Sequence, residues 1–355
     1  MNKRGLSSIV IKLILILLAV IAIVIVWIAV RNVIFSGSEE INIGKFTTKI
    51  NIEDVKFNPN SVDLKIKRYV GIGDVSGIKV VFFDGLTYET FEYNSEIKEL
   101  EEKTITLNYD GLVKEVSIAP LFKTSSGQTI TGGIVDKKKY SDIESVKNIP
   151  GLISWWKMDD KSPDGNVKDE VGIYNGTLRG SVNCSIQGKF GKACGFNGVD
   201  SYINVSSFPF SDFEGTIETW VWLPVTKPSI DGNILRIGSP SDFHSLRRDN
   251  NSKDINYFIS NGGLVEYNVI SNSKWYHIAA TYNKSKLEAK LFFDGVIRGN
   301  SSNLQNTPSV YGNTLYIGAA NDTSNFLNGT IDEMKIYNRA LSDKEIRGLY
   351  NLDLN

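Results

Sequence analysis

The chain has 355 residues, 41% hydrophobic and 22% charged, a composition that fits folded protein and excludes a disordered chain. Its formal net charge is -1, so no overall field favours nucleic acid or another strongly charged partner. At about 100–200 residues per domain, the length allows two or three domains.

The first element, within residues 1–35, is a long apolar run. Residues 13–30 carry no charge, and a helix over this stretch would rise about 27 Å, close to the ~30 Å hydrocarbon core of a bilayer. Lys3, Arg4 and Lys12 outweigh Arg31, so we expect a cytoplasmic N-terminus with the bulk of the chain outside the cell. The sequence therefore predicts a transmembrane helix and a single-pass protein of the cell membrane.

The residues before this run suggest a more specific interpretation. Residues 3–10, KRGLSSIV, resemble the class III signal of archaeal type IV pilin-like proteins, in which a basic segment ends in glycine and is cleaved there. The resemblance implies processing between Gly5 and Leu6, after which the helix would pack with other pilin-like subunits. Ser8 stands where the family often has proline, and Lys12 would place a charge in the filament core. A plain membrane anchor therefore remains the alternative. A removed signal peptide fits less well, because residues 34–36 form a poor cleavage site.

Residues 36–140 are predicted to form a small β-sandwich. Four segments alternate apolar with polar residues between turn residues: SVDLKIKRYV, GIKVVFFDG, KTITLNYDGL and VKEVSIAPLF. Such spacing is typical of a small antiparallel sandwich. The glycine-rich stretch GIGDVSG has no helical pattern after it, so we interpret it as a turn and not as a phosphate-binding loop. The lysines at 137–139 and the polar residues 141–150 read as a linker.

The C-terminal segment, residues 151–355, contains a longer series of spaced motifs. In chain order these are GLISWWKMDD, YNGTLRG, GKFGKACGFNGVDSYINV, GTIETWVWL, KWYHIAATYN, LEAKLFFDGVIRG, NTLYIGA and LNGTIDEMKIYNRALSDKEI. Together they resemble the laminin G-like (LamG-like), concanavalin A-like jelly-roll family. The resemblance implies two packed antiparallel sheets, and the chain as a whole is expected to be mainly β.

Local patterns in this segment agree with that fold. Residues 287–293 alternate, with Leu287, Ala289, Leu291 and Phe293 on one face of a strand. The following pair, residues 294–295 with the sequence DG, suits a type I′ hairpin turn. Residues 342 and 345, serine and glutamate, have capping-box spacing and predict a short helix that closes one end of the sandwich.

The cysteines and asparagines of this segment predict covalent chemistry. Cys184 and Cys194 have neither C-x-x-C spacing nor a histidine cluster, which argues against zinc. Outside the cell they would form a disulfide, with Gly188 and Gly191 reversing the chain between them, and two buried thiols are the alternative. Eight N-x-Ser/Thr sequons predict a glycoprotein; they begin at Asn175, Asn183, Asn204, Asn250, Asn283, Asn300, Asn321 and Asn328.

The family resemblance also implies a structural calcium ion where the first and last strands meet. Asp159 ends the first strand and Asp332 lies in the last, while Asn197, the carbonyl of Gly198 and Asp200 belong to the loop FNGVDSY. Carboxylate and carbonyl oxygens are the ligands that calcium prefers. The alternative is that these residues only cap turns.

In the family that this segment resembles, hydrolases typically carry their two carboxylates on one strand, two residues apart, and that pair is missing here. In GTIETWVWL only Glu218 is present, and we expect His277 to have a packing role, so the sequence predicts no enzyme. Trp222 and Glu218 project from the same face of their strand and are the predicted ligand contacts. The remaining tryptophans of the segment are expected in the core: Trp155, Trp156, Trp220 and Trp275.

These observations predict a cell-surface protein, membrane-anchored or pilin-like, that displays a LamG-like domain. Its expected partners are the membrane, glycans or neighbouring surface proteins, and other pilin-like subunits, but not nucleic acid. A structural envelope component without a ligand and a tethered carbohydrate-active enzyme are the alternatives.

Overall fold

The computed structural model describes residues 48–352 except 72, 125, 162–164, 210–213, 227, 240–242, 251–253, 260–262, 269–272, 303 and 305–312. Over these residues the strands form antiparallel sheets that build two β-sandwiches in succession along the chain. The apolar run at 13–30 and the Gly5–Leu6 bond lie outside the described residues. Within the described part, the helices are too short or too polar to span a bilayer.

The N-terminal sandwich packs a three-stranded sheet against a five-stranded one. The first sheet contains β1 (Ile50–Asn58), β2 (Ser61–Arg68) and β5 (Glu102–Asn108). The second contains β3 (Val75–Phe83), β4 (Tyr88–Tyr93), β6 (Glu115–Lys123), β7 (Thr129–Thr131) and β8 (Asp136–Lys139). The four segments predicted as strands coincide with β2, β3, β5 and β6. Their alternation buries one face of each strand, for example Val62, Leu64 and Ile66 of β2.

A proline explains why two short strands share one edge of β6. β8 pairs with residues 115–118 and β7 with residues 121–123, and Pro120 falls in the gap between them. Proline has no N–H to donate to a neighbouring strand, so one continuous partner is disfavoured there. The lysines at 137–139, predicted to begin a linker, therefore belong to a strand.

The glycine-rich stretch before β3 wraps around a buried arginine. The Arg68 guanidinium donates hydrogen bonds to the carbonyl oxygens of Ile97, Gly71 and Gly73. A phosphate-binding loop presents its N–H groups to the ligand, whereas here the carbonyls are turned toward a cation. The interpretation as a structural turn agrees with this geometry.

The C-terminal sandwich consists of two larger sheets. We call the first the front sheet; it contains β9 (Leu152–Lys161), β10 (Val167–Asp169), β12 (Asn183–Gln187), β13 (Lys192–Asn197), β15 (Gly215–Leu223), β20 (Lys274–Asn283), β21 (Glu288–Phe293), β22 (Val296–Ser301) and β24 (Asn328–Tyr337). The back sheet contains β11 (Thr177–Arg179), β14 (Tyr202–Val205), β16 (Gly232–Gly238), β17 (Phe243–Arg248), β18 (Asp254–Ile259), β19 (Gly263–Asn268) and β23 (Leu315–Ile317). Their inner faces share one core, which includes Trp156, Ile217 and Leu246. The predicted mainly-β sandwich is confirmed, and its form is consistent with a jelly roll.

Three local predictions in this sandwich have clear outcomes. Cys184 and Cys194 form the predicted disulfide between β12 and β13, and both lie in the core. Asp294 and Gly295 have φ angles of 50° and 71°, as a type I′ turn requires. Leu287, which was predicted to share the buried strand face, instead lies in the preceding turn with φ 50° and is 39% exposed.

Two short helices lie where the sandwiches meet. The first, α1 (Asp142–Lys147), occupies the predicted linker and begins with a capping box between Ser141 and Glu144. The second, α2 (Asp343–Leu352), has the predicted capping box: the Glu345 N–H donates to Ser342 Oγ, and the Ser342 N–H donates to Glu345 Oε2. The two capping boxes provide hydrogen-bond acceptors for backbone N–H groups that have no partner within the first turn of a helix.

Helix α2 does not close an end of the sandwich, as its sequence suggested. It lies on the outer face of the front sheet and contributes to a small core shared by both sandwiches. Leu112 from the N-terminal sandwich and Val146 and Ile149 near α1 pack there against Phe292 of β21 and Leu349 of α2. The predicted linker is therefore packed, and it joins the two sandwiches through apolar contacts.

Candidate functional site

The outer face of the front sheet is the place where the predicted ligand residues lie. Along β15, Ile217, Val221 and Leu223 point into the core. Glu218, Trp220 and Trp222 accordingly point outward, although they do not share one environment. Helix α2 covers part of this face and leaves one end open.

A network of charged side chains occupies the covered part. Glu218 Oε1 lies 2.8 Å from His277 Nε2, and Glu218 Oε2 lies 3.2 Å from Lys335 Nζ. All three side chains are buried. Burial by itself disfavours the charged carboxylate, but the Lys335 charge and the His277 hydrogen bond outweigh that effect, and the pKa of Glu218 is lowered. Glu218 is thus an ionised structural group, and its carboxylate is not accessible to a ligand here.

Aromatic rings pack against this network on two sides. Tyr350 of α2 stacks on Trp220 with 5.8 Å between ring centroids and also contacts His277 at 5.6 Å. On the other side the Trp155 Nε1–H donates to Glu333 Oε2, which lies 3.6 Å from Lys335 Nζ. His277 is therefore held inside a packed polar core, in keeping with the packing role expected of it.

The open end of the face presents a pair of tryptophans. Trp222 of β15 and Trp275 of β20 are direct cross-strand partners, and both are half-buried. On the other side of Trp222, the partner in β24 is Thr330, whose own partner in β13 is Gly195. We call this row of four residues the front aromatic surface. Trp275 was expected in the core, but the alternation of β20 places Tyr276 inward and Trp275 outward.

The neighbouring part of the face is covered by a hairpin and a turn. The hairpin between β12 and β13 places Lys189 Nζ 4.4 Å from the Trp220 ring centroid and Phe190 against the same ring. On the opposite side, the turn at Gly295 lies against Tyr350 of α2. These contacts cover Trp220, whereas Trp222 and Trp275 remain half-buried.

Two of the predicted calcium ligands come together under the same hairpin. The Phe190 N–H donates to Asp332 Oδ2 at 2.9 Å, and the Lys192 N–H donates to Asp159 Oδ1 at 2.6 Å. Asp332 Oδ1 is buried and has no hydrogen-bond partner among the described residues. Burial, together with the charges of Glu333 and Asp159, raises the pKa of Asp332 to about 8. This arrangement fits a cation, because an additional positive charge would satisfy the orphaned oxygen.

The other three predicted ligands do not join that pair. Asn197 Oδ1 accepts hydrogen bonds from Val199 N, Asp200 N and Ser201 Oγ, and the Asn197 amide donates to Asp200 Oδ1 at 2.7 Å. That hydrogen bond is the main reason why the pKa of Asp200 is lowered. The loop around Gly198 is thus satisfied internally. In the described part of the chain, no group of three or more Asp, Glu, His or Cys side chains is arranged for a metal.

Comparison with known proteins supports the fold of the C-terminal sandwich. Residues 197–347 match the family Laminin_G_3, described as the concanavalin A-like lectin/glucanases superfamily. The resemblance predicted from the sequence is confirmed over that stretch. A comparison with curated proteins finds no match.

Among solved structures, the binding domain of botulinum neurotoxin serotype D is similar with 14% identity and a TM-score of 0.46, over 56% of this chain and 51% of that one. The serotype D ligand-binding domain in complex with N-acetylneuraminic acid has 15% identity and a TM-score of 0.45, over 56% of this chain and 50% of that one. A third similar structure is domain 4 of AbnA, a GH43 extracellular arabinanase from Geobacillus stearothermophilus, in complex with arabinotriose. It has 21% identity and a TM-score of 0.46, over 56% of this chain and 98% of that one. The chain spans about half the length of the neurotoxin domains.

Proposed function

We propose that the chain is a cell-surface recognition protein that binds glycans on the front aromatic surface. The observation that supports this most directly is the half-buried pair Trp222 and Trp275. Indole faces stack on the C–H groups of sugar rings, and a few polar groups orient the ligand. Thr330 supplies a hydroxyl group beside the rings.

Gly195 lies beside that hydroxyl group and is packed against the Ile186 side chain. A Cβ atom there would lie 2.9 Å from the Ile186 side chain, so a larger residue would push Ile186 outward. The front aromatic surface therefore combines aromatic stacking area with one polar group and a neighbouring apolar side chain, which suit a neutral saccharide.

The proposed role is recognition without catalysis. Glycoside hydrolysis requires two carboxylates on either side of the scissile bond. The one glutamate of β15, Glu218, is buried and paired with Lys335. The tryptophan surface carries no carboxylate of its own, so binding is the chemistry that it supports.

Glycan binding should depend on both tryptophans. The full chain in detergent micelles is applied to a glycan array, and affinity for the best glycan is measured by calorimetry. We expect Trp222→Ala and Trp275→Ala each to weaken binding by about tenfold, since stacking on an aromatic ring contributes about 0.5–1.5 kcal/mol beyond the area buried and about 1.4 kcal/mol is a tenfold change in affinity. Tyr88→Ala is the matched control, because Tyr88 is an exposed ring of the other sandwich. A blank array, or equal losses in the control, would instead support a structural envelope component.

We also propose that the N-terminal helix holds the protein at the membrane and that the Gly5–Leu6 bond is processed as in pilin-like proteins. The support is the sequence of residues 3–30: a basic segment ending in glycine, followed by an apolar run of spanning length. The intact mass of protein extracted from native membranes is expected to lack residues 1–5. Retention of Met1 would leave a plain anchor and exclude the filament subunit.

A calcium ion is proposed to bind at Asp332 and Asp159, where it would neutralise the two carboxylates and fix the hairpin beside the tryptophans. Saturating calcium should raise Tm, because a ligand at 100 times Kd stabilises by about 2.7 kcal/mol. EGTA should reverse the shift, and Asp332→Asn should abolish it while Asp200→Asn should not. A Tm that is equal in calcium and EGTA would contradict calcium binding.

A further inference from the structure

The N-terminal sandwich joins the preceding part of the chain at one of its two ends. β1 begins at Ile50, whose partner in β2 is Arg68. Just beyond this pair, the Tyr69 N–H donates to the carbonyl oxygen of Lys49 at 2.8 Å, and the Arg68 N–H donates to that of Glu101 at 3.0 Å. We call this group the proximal end; it consists of Lys49, Tyr69, Val70 and the turn at residues 98–101.

The C-terminal sandwich lies at the opposite end of the same strands. Ser61, at the start of β2, is paired with Asn108 at the end of β5. Two residues further on, Asp110 forms an ion pair with Lys344 of α2 at 3.4 Å. The eight residues of β2 rise about 3.3 Å each, which separates the two ends by about 23 Å. The proximal end therefore faces away from the C-terminal sandwich.

Two large apolar side chains are exposed at the proximal end. Val70 is 69% exposed and Leu100 is 64% exposed. Leu100 is the third residue of a turn in which the Glu101 N–H donates to the Lys98 carbonyl oxygen, and its φ is 60°. This backbone conformation favours glycine and is strained in a residue with a β-carbon. Neither the turn nor the core explains a leucine at this position, whereas a contact outside the sandwich does.

The polar side chains beside these two residues suit the boundary between lipid and water. Lys49 Nζ lies 4.9 Å from the Tyr69 ring centroid, and the Tyr69 hydroxyl group donates to Glu53 Oε1 at 3.2 Å. Tyrosine is enriched where lipid meets water, and lysine keeps its charged head in water above an apolar stem. The proximal end thus combines exposed apolar groups with side chains that tolerate the headgroup region.

Charges of both signs are paired around the proximal end. Lys67 Nζ lies 2.8 Å from Glu102 Oε1, and Lys103 Nζ lies 3.7 Å from Glu101 Oε1. Surface pairs of this kind give little net attraction to a charged partner. A contact with lipid at this end would accordingly depend on the burial of apolar side chains and little on salt.

We propose that the proximal end rests on the surface of the bilayer, with Val70 and Leu100 in contact with lipid. The inference rests on the membrane anchor proposed above. The apolar run ends at residue 30, so residues 31–47 connect it to the first described residue. A tether of this length keeps the proximal end near the membrane, where a high effective concentration favours even a weak contact. The contact would hold the C-terminal sandwich at the far end, away from the lipid.

The test uses the full chain reconstituted in phosphatidylcholine vesicles and labelled with bimane at a single new cysteine. The labelled variants are Val70→Cys, Leu100→Cys and the matched control Leu86→Cys. Leu86 is 63% exposed, and it precedes β4, in which Glu89 is paired with Lys344 of the C-terminal sandwich. The native cysteines form a buried disulfide, so the label reacts with the new thiol. Lipid that carries a nitroxide near its headgroup should quench the labels at positions 70 and 100 but not the label at 86, in low and high salt alike.

Replacing Leu100 with glycine provides an independent measurement. Quenching of the label at position 70 should fall, because one of the two lipid contacts is lost. Tm should stay the same or rise, because glycine adopts a φ of 60° without strain. A lower Tm together with unchanged quenching would show that Leu100 stabilises the sandwich and does not contact lipid.

Flotation of the vesicles separates failure of this proposal from failure of the membrane anchor. If the chain floats with the vesicles and the three labels are quenched equally or not at all, the anchor stands and the contact at the proximal end is contradicted. A chain that does not float contradicts the anchor and this inference together. Quenching that requires anionic lipid and disappears in high salt would contradict an apolar contact. A blue shift of the labels at 70 and 100 without quenching by lipid would assign the proximal end to a second copy of the chain.

Discussion

Replacing Lys335 with methionine is expected to lower the free energy of unfolding by about 3–5 kcal/mol. Methionine has a similar length, but the positive charge that lies 3.2 Å from Glu218 Oε2 and 5.3 Å from the Trp155 ring centroid is lost. That oxygen has no hydrogen-bond partner among the described residues. The variant therefore leaves a buried carboxylate with His277 as its one remaining partner. Urea unfolding of the full chain in micelles, followed by tryptophan fluorescence, measures the loss.

Two further variants distinguish the effect on stability of losing the buried Lys335–Glu218 pair from the effect of removing a positive charge in general. Lys344→Met removes a lysine whose side chain is 52% exposed, and such surface pairs contribute about 0–1 kcal/mol. The double variant Glu218→Gln, Lys335→Met removes both charges and should recover much of the stability. If Lys335→Met is no less stable than Lys344→Met, the pair does not stabilise the fold.

The same network determines how the stability of the fold changes with pH. Because the pKa of Glu218 is lowered in the folded protein, its contribution to stability is complete above the unfolded value of about 4.3. The contribution is lost as pH falls through the folded pKa. The wild-type chain should accordingly lose more stability on acidification than Glu218→Gln does.

Replacing Leu112 with alanine should destabilise the C-terminal sandwich, although Leu112 belongs to the N-terminal one. Leu112 is 1% exposed and packs in the shared core, where it contacts Gly348 of α2. Leucine-to-alanine changes in cores cost about 2–5 kcal/mol. Within the described residues, every tryptophan lies in the C-terminal sandwich: Trp155, Trp156, Trp220, Trp222 and Trp275. The fluorescence of these tryptophans therefore reports the unfolding of that sandwich. We expect the fluorescence transition of Leu112→Ala to move to lower urea.

The matched control for this prediction lies deeper in the N-terminal sandwich. Ile105 is 2% exposed and packs in that sandwich's own core. Ile105→Ala should shift the circular dichroism transition and affect tryptophan fluorescence less than Leu112→Ala does. Fluorescence transitions that coincide for Leu112→Ala and wild type would show that the two sandwiches unfold independently.

The sequence predicted side-chain direction well wherever a strand is regular. The alternation in β15 correctly placed Glu218, Trp220 and Trp222 on one face. It could not show that α2 covers the first two and leaves the third open, because that depends on a helix more than 120 residues later in the chain. The outward position of Trp275 follows from the alternation in β20, where Tyr276 points into the core.

A β-bulge in β24 explains why the sequence did not predict that Lys335 belongs to the buried network. Strict alternation along β24 would put Lys335 on the opposite face from Asp332. Glu333 has φ 52° and the register shifts there, so the bulge turns Lys335 onto the outer face beside Glu218.

The central claim of this account is that the protein binds glycans through Trp222 and Trp275. Fluorine NMR of the full chain labelled with fluorotryptophan tests it directly, with each resonance assigned by substitution. On addition of the best glycan from the array, the resonances of Trp222 and Trp275 should shift, while those of buried Trp155, Trp156 and Trp220 stay in place. Shifts confined to the buried tryptophans, or no shift at saturating glycan, would contradict it.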